Sequence, residues 1–425
     1  MIFDHRVRHL HAAFKFLRKE FLKNKIVFSL VGVLLLAVVV ELSLLGGSSI
    51  KSGDFTVLAH TTVTKCSSSK YKPTCYDDEI PKLMGQISME DAFQVTRLIQ
   101  DEDPSYRYCH VLGHKLAARE TAVDPDKWQD VIKRCPSGLC SNGCIHGAFQ
   151  ERFRKEVLTD EEIEVLKPQF ENVCENRSGF NPTGLEKASC YHALGHLFMY
   201  VTGADIRKSV SLCKEMTVKP ENDYSQLCFD GSFMQIFQPL EPDDFALIVG
   251  KEVDKKHVKA FCDDYAGKQK GSCWSESWPL FREELYKPEN LINHCNYLSE
   301  KQERGRCFNA LLYVYTAQMG FNQDKVFDYC SAMPSKYSGN CFAQASSRLI
   351  ETDYRNGPSA VALCEKGAMY DVDNLCFKEL LKYSTFNFHQ GSEAFKSFCA
   401  VMPVPWNEKC FSGNRQQSEL KRTAE

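Results

Sequence analysis

Two copies of His-x-Leu-Gly-His stand in this 425-residue chain, at His110 to His114 and at His192 to His196. A cysteine precedes each, Cys109 in the first and Cys190 in the second. A shorter motif follows each copy: Cys144-Ile-His146-Gly147-Ala-Phe149 after the first, Cys228-Phe-Asp230-Gly231-Ser-Phe233 after the second. Aligned on their cysteines, these put Asp230 in the place of His146.

Residues four apart share one face of a helix. His110 and His114 therefore point the same way, as do His192 and His196, and one ion can reach both imidazoles of a pair. A third ligand must come from a neighbouring helix. Two triads are expected: His110, His114 and His146, and His192, His196 and Asp230. Three histidines suit zinc or copper. Two histidines with a carboxylate suit non-haem iron, though zinc and manganese use that set as well. Gly113 and Gly195 stand just before the second histidine of each pair, and Gly147 and Gly231 just after His146 and Asp230. Glycine inside a helix costs about 1 kcal/mol relative to alanine, so glycines at matched places suggest close helix approach or room for an ion. Later repeats carry Ser275, Asn309, Ala343 and Lys378 two residues after their cysteines instead.

The plainer reading is that the histidines pack helices and hydrogen-bond at the joints, because a duplication copies structural residues as readily as ligands. Other chemistry is missing. There is no HExxH, no phosphate loop, no GxSxG and no GxGxxG after a strand. Cys140 and Cys144 before His146 have the wrong spacing for a CxxCH haem site. Asn176-Arg177-Ser178 is a glycosylation sequon. The net charge of -3 argues against a nucleic-acid partner, which needs a basic face.

The elements that must hold these residues follow the cysteines. One series opens apolar helical stretches, from Cys273 through Cys307, Cys341 and Cys376 to Cys410, at steps of 34, 34, 35 and 34 residues. The other series falls near the end of each following helix, at Cys262, Cys295, Cys330, Cys364 and Cys399. No stretch alternates long enough to suggest a sheet. The expected fold is all-α: about eight antiparallel helix pairs forming an α-solenoid. Residues 88 to 411 resemble the tetratricopeptide class of helix-pair repeats in period and layout, without that class's Trp-Leu-Gly-Tyr signature.

Height matching decides the pairing of the cysteines. Cys295 and Cys307 lie at similar distances from the turn between their helices. Cys273 and Cys295, within one hairpin, differ in height by about 10 to 12 Å at 1.5 Å per residue, too far for a disulfide. Eight bridges across the short joints are expected: Cys135–Cys144, Cys174–Cys190, Cys213–Cys228, Cys262–Cys273, Cys295–Cys307, Cys330–Cys341, Cys364–Cys376 and Cys399–Cys410. Cys66, Cys75, Cys109 and Cys140 receive no partner. So stapled, the array should be a stiff rod or arc.

The N-terminal 25 residues carry seven Lys or Arg, and 26–45 is a 20-residue apolar run interrupted by Glu41. That length spans a bilayer, and the basic flank places the N-terminus in the cytoplasm. A single-pass signal anchor is expected, with a cleaved signal peptide as its rival. Twenty cysteines fit the oxidising side of the membrane. The expected organisation is a cytoplasmic segment (1–25), an anchor (26–45), a polar stalk (46–87), histidine-containing repeats (88–260), regular repeats (261–411) and a polar tail (412–425). The function expected is an extracytoplasmic scaffold. A protein or peptide partner would lie on its repeat surface and a divalent metal (zinc, iron or copper) at the histidines. The alternative is a metal-dependent enzyme at the same residues.

Overall fold

A computed structural model describes residues 52–219 and 222–412. The apolar run at 26–45, its basic flank and the tail beyond 412 lie outside the described residues. Among the described residues no helix is long and apolar enough to cross a membrane. The chain divides at Phe55, and the fold below is that of residues 56 onward.

Among the described residues the structure is helical, with isolated bridges and no strand. Within the span expected as a stalk, residues 56–66 and 72–83 are helical and pack into the body. The helices α1 (Ser52–Cys66) and α2 (Lys72–Leu83) are joined by the Cys66–Cys75 disulfide, and Tyr76 and Ile80 of α2 are fully buried. Polar composition concealed this, because a staple and two anchoring side chains replace an apolar stripe. Helix α3 (Met89–Glu102) starts on a reciprocal capping box between Ser88 and Asp91.

Eight inner helices then alternate with outer ones. The inner helices are α4 (His110–Thr121), α6 (Gly143–Phe153), α8 (Gly184–Val201), α10 (Ser225–Phe237), α13 (Gly267–Glu276), α16 (Lys301–Gln318), α18 (Ser335–Thr352) and α20 (Leu375–Asn387). Each packs on the next. The outer helices are α5 (Trp128–Arg134), α7 (Asp160–Asn172), α9 (Ile206–Met216), α11 (Pro242–Leu247) with α12 (Val258–Asp263), α14 (Arg282–Leu285) with α15 (Pro288–Cys295), α17 (Gln323–Ser331), α19 (Gly357–Gly367) and α21 (Glu393–Val401). Helix α22 (Trp406–Ser412) ends the array.

A disulfide ties the end of each outer segment to the next helix, at the eight joints named above, with Cα separations of 5.4 to 5.7 Å. The ninth and tenth bridges are Cys66–Cys75 and Cys109–Cys140. Ten intramolecular disulfides suggest an oxidising, extracytoplasmic compartment.

The array is not an open rod. Its inner row curls until α20 meets α8, where Phe386 packs on Gly184. The turn after α18 meets the start of the array. Arg355 bonds Asp101 (3.0 Å) and Gln100 (3.3 Å), and Leu139 pairs with Asp353 in an antiparallel bridge. Arg348 of α18 lies over the ring of Tyr108 at 5.6 Å. These contacts join residues more than 200 apart in sequence, and a repeat period carries no information about them. Closure surrounds a partly open cavity of about 2030 Å³, to which all eight inner helices contribute side chains.

Candidate metal centre

Five histidines cluster beside that cavity, and three of them, His110, His146 and His192, line it. They arrive on α4, α6 and α8, and two local devices place them. A capping box between Thr183 and Glu186 begins α8 two turns before His192. Helix α6 follows a turn in which Cys140, Ser141 and Asn142 all hold positive φ (52°, 48° and 55°). Left-handed backbone costs a non-glycine residue roughly 1–2 kcal/mol, and three in succession persist only where surroundings over-determine them. Here the Cys109–Cys140 bridge pins the turn to the start of α4, beside His110.

Glycines set the helix spacing. A Cβ on Gly143 or Gly147 would lie 2.2 Å from the carbonyl oxygens of His110 and His114 respectively. A Cβ on Gly231 would lie 2.1 Å from the His192 oxygen. The helices therefore touch backbone to backbone, which carries the imidazoles of neighbouring helices to within reach of one another.

The rings form two triangles with His146 as the common corner. Ring centroids are 4.7 Å apart for His110 and His114, 5.0 Å for His110 and His146, and 5.3 Å for His114 and His146. In the second triangle they are 5.1 Å for His192 and His196, 5.4 Å for His146 and His192, and 5.6 Å for His146 and His196. Within each pair the Nε2 atoms face each other, at 3.1 Å in the first and 3.2 Å in the second. Ligand atoms of His110, His114 and His146 lie within 4.8 Å of one another.

The tautomers follow from the next layer. His114 Nδ1 meets Gln150 Oε1 at 3.2 Å, and His196 Nδ1 meets Gln235 Oε1 at 2.7 Å. The amide nitrogens of both glutamines donate to Asp244 Oδ1, at 3.5 Å from Gln150 and 2.8 Å from Gln235. Gln150 also donates to Glu241 and to the Tyr200 hydroxyl, each at 3.1 Å. A carboxylate accepts only, so each glutamine must turn its oxygen to the histidine. His114 and His196 therefore carry their hydrogen on Nδ1 and present a lone pair at Nε2. Asp244 anchors both arms. Burial acts to raise its carboxyl, but hydrogen bonds from Tyr200, Gln235 and the amides of Leu240 and Glu241 outweigh that and hold it below the usual carboxylate value.

Burial keeps the cluster neutral. It pulls His114 down to about 4 and His192 to about 3, and lowers His196, with the repulsion of neighbouring imidazoles adding to it for His114 and His192. His110 and His146 fall further by the same causes. Neutral imidazole is the form that ligates metal. His110 Nδ1 is buried without a hydrogen-bond partner. A small cavity of about 20 Å³, bordered by His110, His114, His146 and His196, has room for one water-sized species.

Asp230 does not join the histidines, and the expected triad of His192, His196 and Asp230 is corrected. Helix α10 is shifted one turn along α8 relative to the way α6 sits on α4. Gly143, one residue before Cys144, abuts His110, whereas Gly231, three residues after Cys228, abuts His192. The place of His146 thus falls to Met234, which borders the small cavity. Asp230 lies one turn back, where Gln226 (3.1 Å) and Ser272 donate to it and Glu276 lies close by. Burial raises the carboxyls of both Asp230 and Glu276. Gln150, Gln235, Tyr200 and Asp244 escaped the sequence. The two glutamines fall six and seven residues after their cysteines, so no common spacing marks them.

Fold and site together define a disulfide-stapled α-helical repeat protein with a buried histidine cluster facing a central cavity. No protein-family model, curated protein or solved structure matches the chain.

Proposed function

We propose that this is a metal-binding protein of an oxidising, extracytoplasmic compartment, anchored through residues 26–45, in which His110, His114 and His146 hold a divalent ion. The observation that carries this reading is the first triangle of rings. With Zn–N bonds of 2.0–2.1 Å, two nitrogens on one tetrahedral ion lie about 3.3 Å apart and their ring centroids about 5 Å apart, close to the distances here. An all-nitrogen set favours zinc or copper over iron. His110 and His146 also line the large cavity, so a ligand that enters it meets the ion. A small molecule or an extended peptide inside the ring is favoured over a partner on the outer repeat surface.

The test is metal analysis of the purified full chain, stripped with chelator and titrated with zinc or copper(II). Uptake should be lost from the first triad in the double variant His110→Ala, His114→Ala. A wild-type chain that takes up neither metal would end this reading and leave the histidines as packing residues.

The second reading is a metal-dependent enzyme. It is favoured by one feature: three protein ligands leave a coordination position for water or substrate, beside a cavity large enough for a substrate. Hydrolysis of an activated ester that needs the metal and is lost with His146→Ala would support it.

A further inference from the structure

The second triangle is built like the first but is wider, with ring centroids 5.1 to 5.6 Å apart against 4.7 to 5.3 Å. Its Nε2 contact is 3.2 Å against 3.1 Å, and its outer histidine is oriented by a glutamine oxygen in the same manner. Both glutamines hang from one carboxylate, Asp244. The His146 ring stands between the pairs, 5.0 and 5.3 Å from one and 5.4 and 5.6 Å from the other. Met234 stands where a second copy of His146 would otherwise be.

We propose that His192, His196 and His146 hold a second metal ion, so that the single His146 ring bridges two ions, one in each triangle. An imidazole has two ring nitrogens, and one can serve each ion. Neutral His146 keeps a hydrogen on one of them, so loading the second ion releases that proton to solvent, and the bridge is an imidazolate. The missing third histidine of the second pair is thereby supplied by the first. His192 lines the large cavity as His110 and His146 do, so both ions face the same space. This inference rests on the metal-binding reading above.

The experiment uses the chelator-stripped full chain and copper(II) as probe. Two equivalents should bind per wild-type chain. Each double variant, His110→Ala with His114→Ala and His192→Ala with His196→Ala, should bind one. Because one imidazolate couples two copper(II) spins, the low-temperature electron paramagnetic resonance signal of the loaded wild type should integrate to well under the copper bound. In either double variant it should match the copper bound. The single variants His192→Gln and His196→Gln carry the same test should a double variant fail to fold. One equivalent in the wild type, unaffected by changes at His192 and His196, overturns the second site and leaves the first standing. Two equivalents with a full, uncoupled signal overturn the shared ring. No uptake at all overturns the parent reading with it.

Discussion

At the scale of single residues, the site depends on hydrogens placed by groups that never touch a metal. Gln235 holds the Nδ1 hydrogen of His196, and Asp244 holds Gln235. Gln235→Leu keeps the volume and removes the acceptor, so Nε2 is no longer fixed as the bare nitrogen. Metal affinity at the second pair should fall about 10- to 100-fold, read by competition with a chromophoric chelator, with little change in melting temperature. The protonation of the cluster gives a second prediction. His114 and His192 have folded values near 4 and 3, below the ordinary value of 6.5. Between these limits the unfolded chain binds more protons, so stability of the metal-free protein rises with pH across the window and is lost as pH falls from 6.5 towards 4. The loss from His114 alone should be on the order of 3 kcal/mol. Denaturant melts of chelator-treated protein from pH 4 to 7.5 check this, and a flat profile would show the imidazoles to be far better solvated than their burial indicates.

At the scale of helices, backbone contact governs. Gly231→Ala directs a methyl group at the His192 carbonyl from 2.1 Å, and backbone cannot swing aside as a side chain can. Overpacking of this kind costs about 1–3 kcal/mol, and α8 and α10 must separate, so both melting temperature and metal uptake should drop. Gly305→Ala, where an added Cβ meets nothing within 4 Å, is the control and should leave both unchanged. The bridges belong to the same scale. Non-reducing peptide mapping should recover Cys295 linked to Cys307, Cys330 to Cys341, and Cys109 to Cys140. The joints were legible in the sequence because disulfide reach is a local matter of height along two helices. The first triad was legible because His110, His114 and His146 sit in helices that cross without a shift. Asp230 was misplaced because register between α8 and α10 is set by which glycine meets which carbonyl, and Gly231 serves there where Gly143 serves in the earlier crossing. No spacing of cysteines reports that choice.

At the scale of the molecule, closure makes a chamber from what the period describes only as a row. The seam is polar and partly open: Arg355, a third exposed, spans Asp101, Gln100 and Asp353. Exposed ion pairs of this type are worth about 0–1 kcal/mol. Arg355→Ala should therefore shift the melting temperature by only a few degrees at most. Faster chemical modification of the histidines in that variant would show the seam to control access to the cavity. The disulfides act differently. In the chain-entropy model a 15-residue loop is worth about 3 kcal/mol, and the joint bridges here span 9 to 16 residues. The reduced, alkylated chain should fail to refold at 37 °C, seen as loss of helical circular dichroism.

The half-cystines have one more consequence, and it concerns selectivity in time. Cys109, Cys144 and Cys190 stand one or two residues before His110, His146 and His192. In the reduced chain each is a thiol, and a thiolate outcompetes imidazole for soft ions. A newly made chain that met such an ion before oxidation would collect it on sulfur, in geometries unrelated to the triangles. Among the described cysteines none remains free once the bridges close, and nitrogen is then the donor left at the site. The ten bridges thus act as an order of operations: sulfur is withdrawn from competition first, and only afterwards do histidines select the ion.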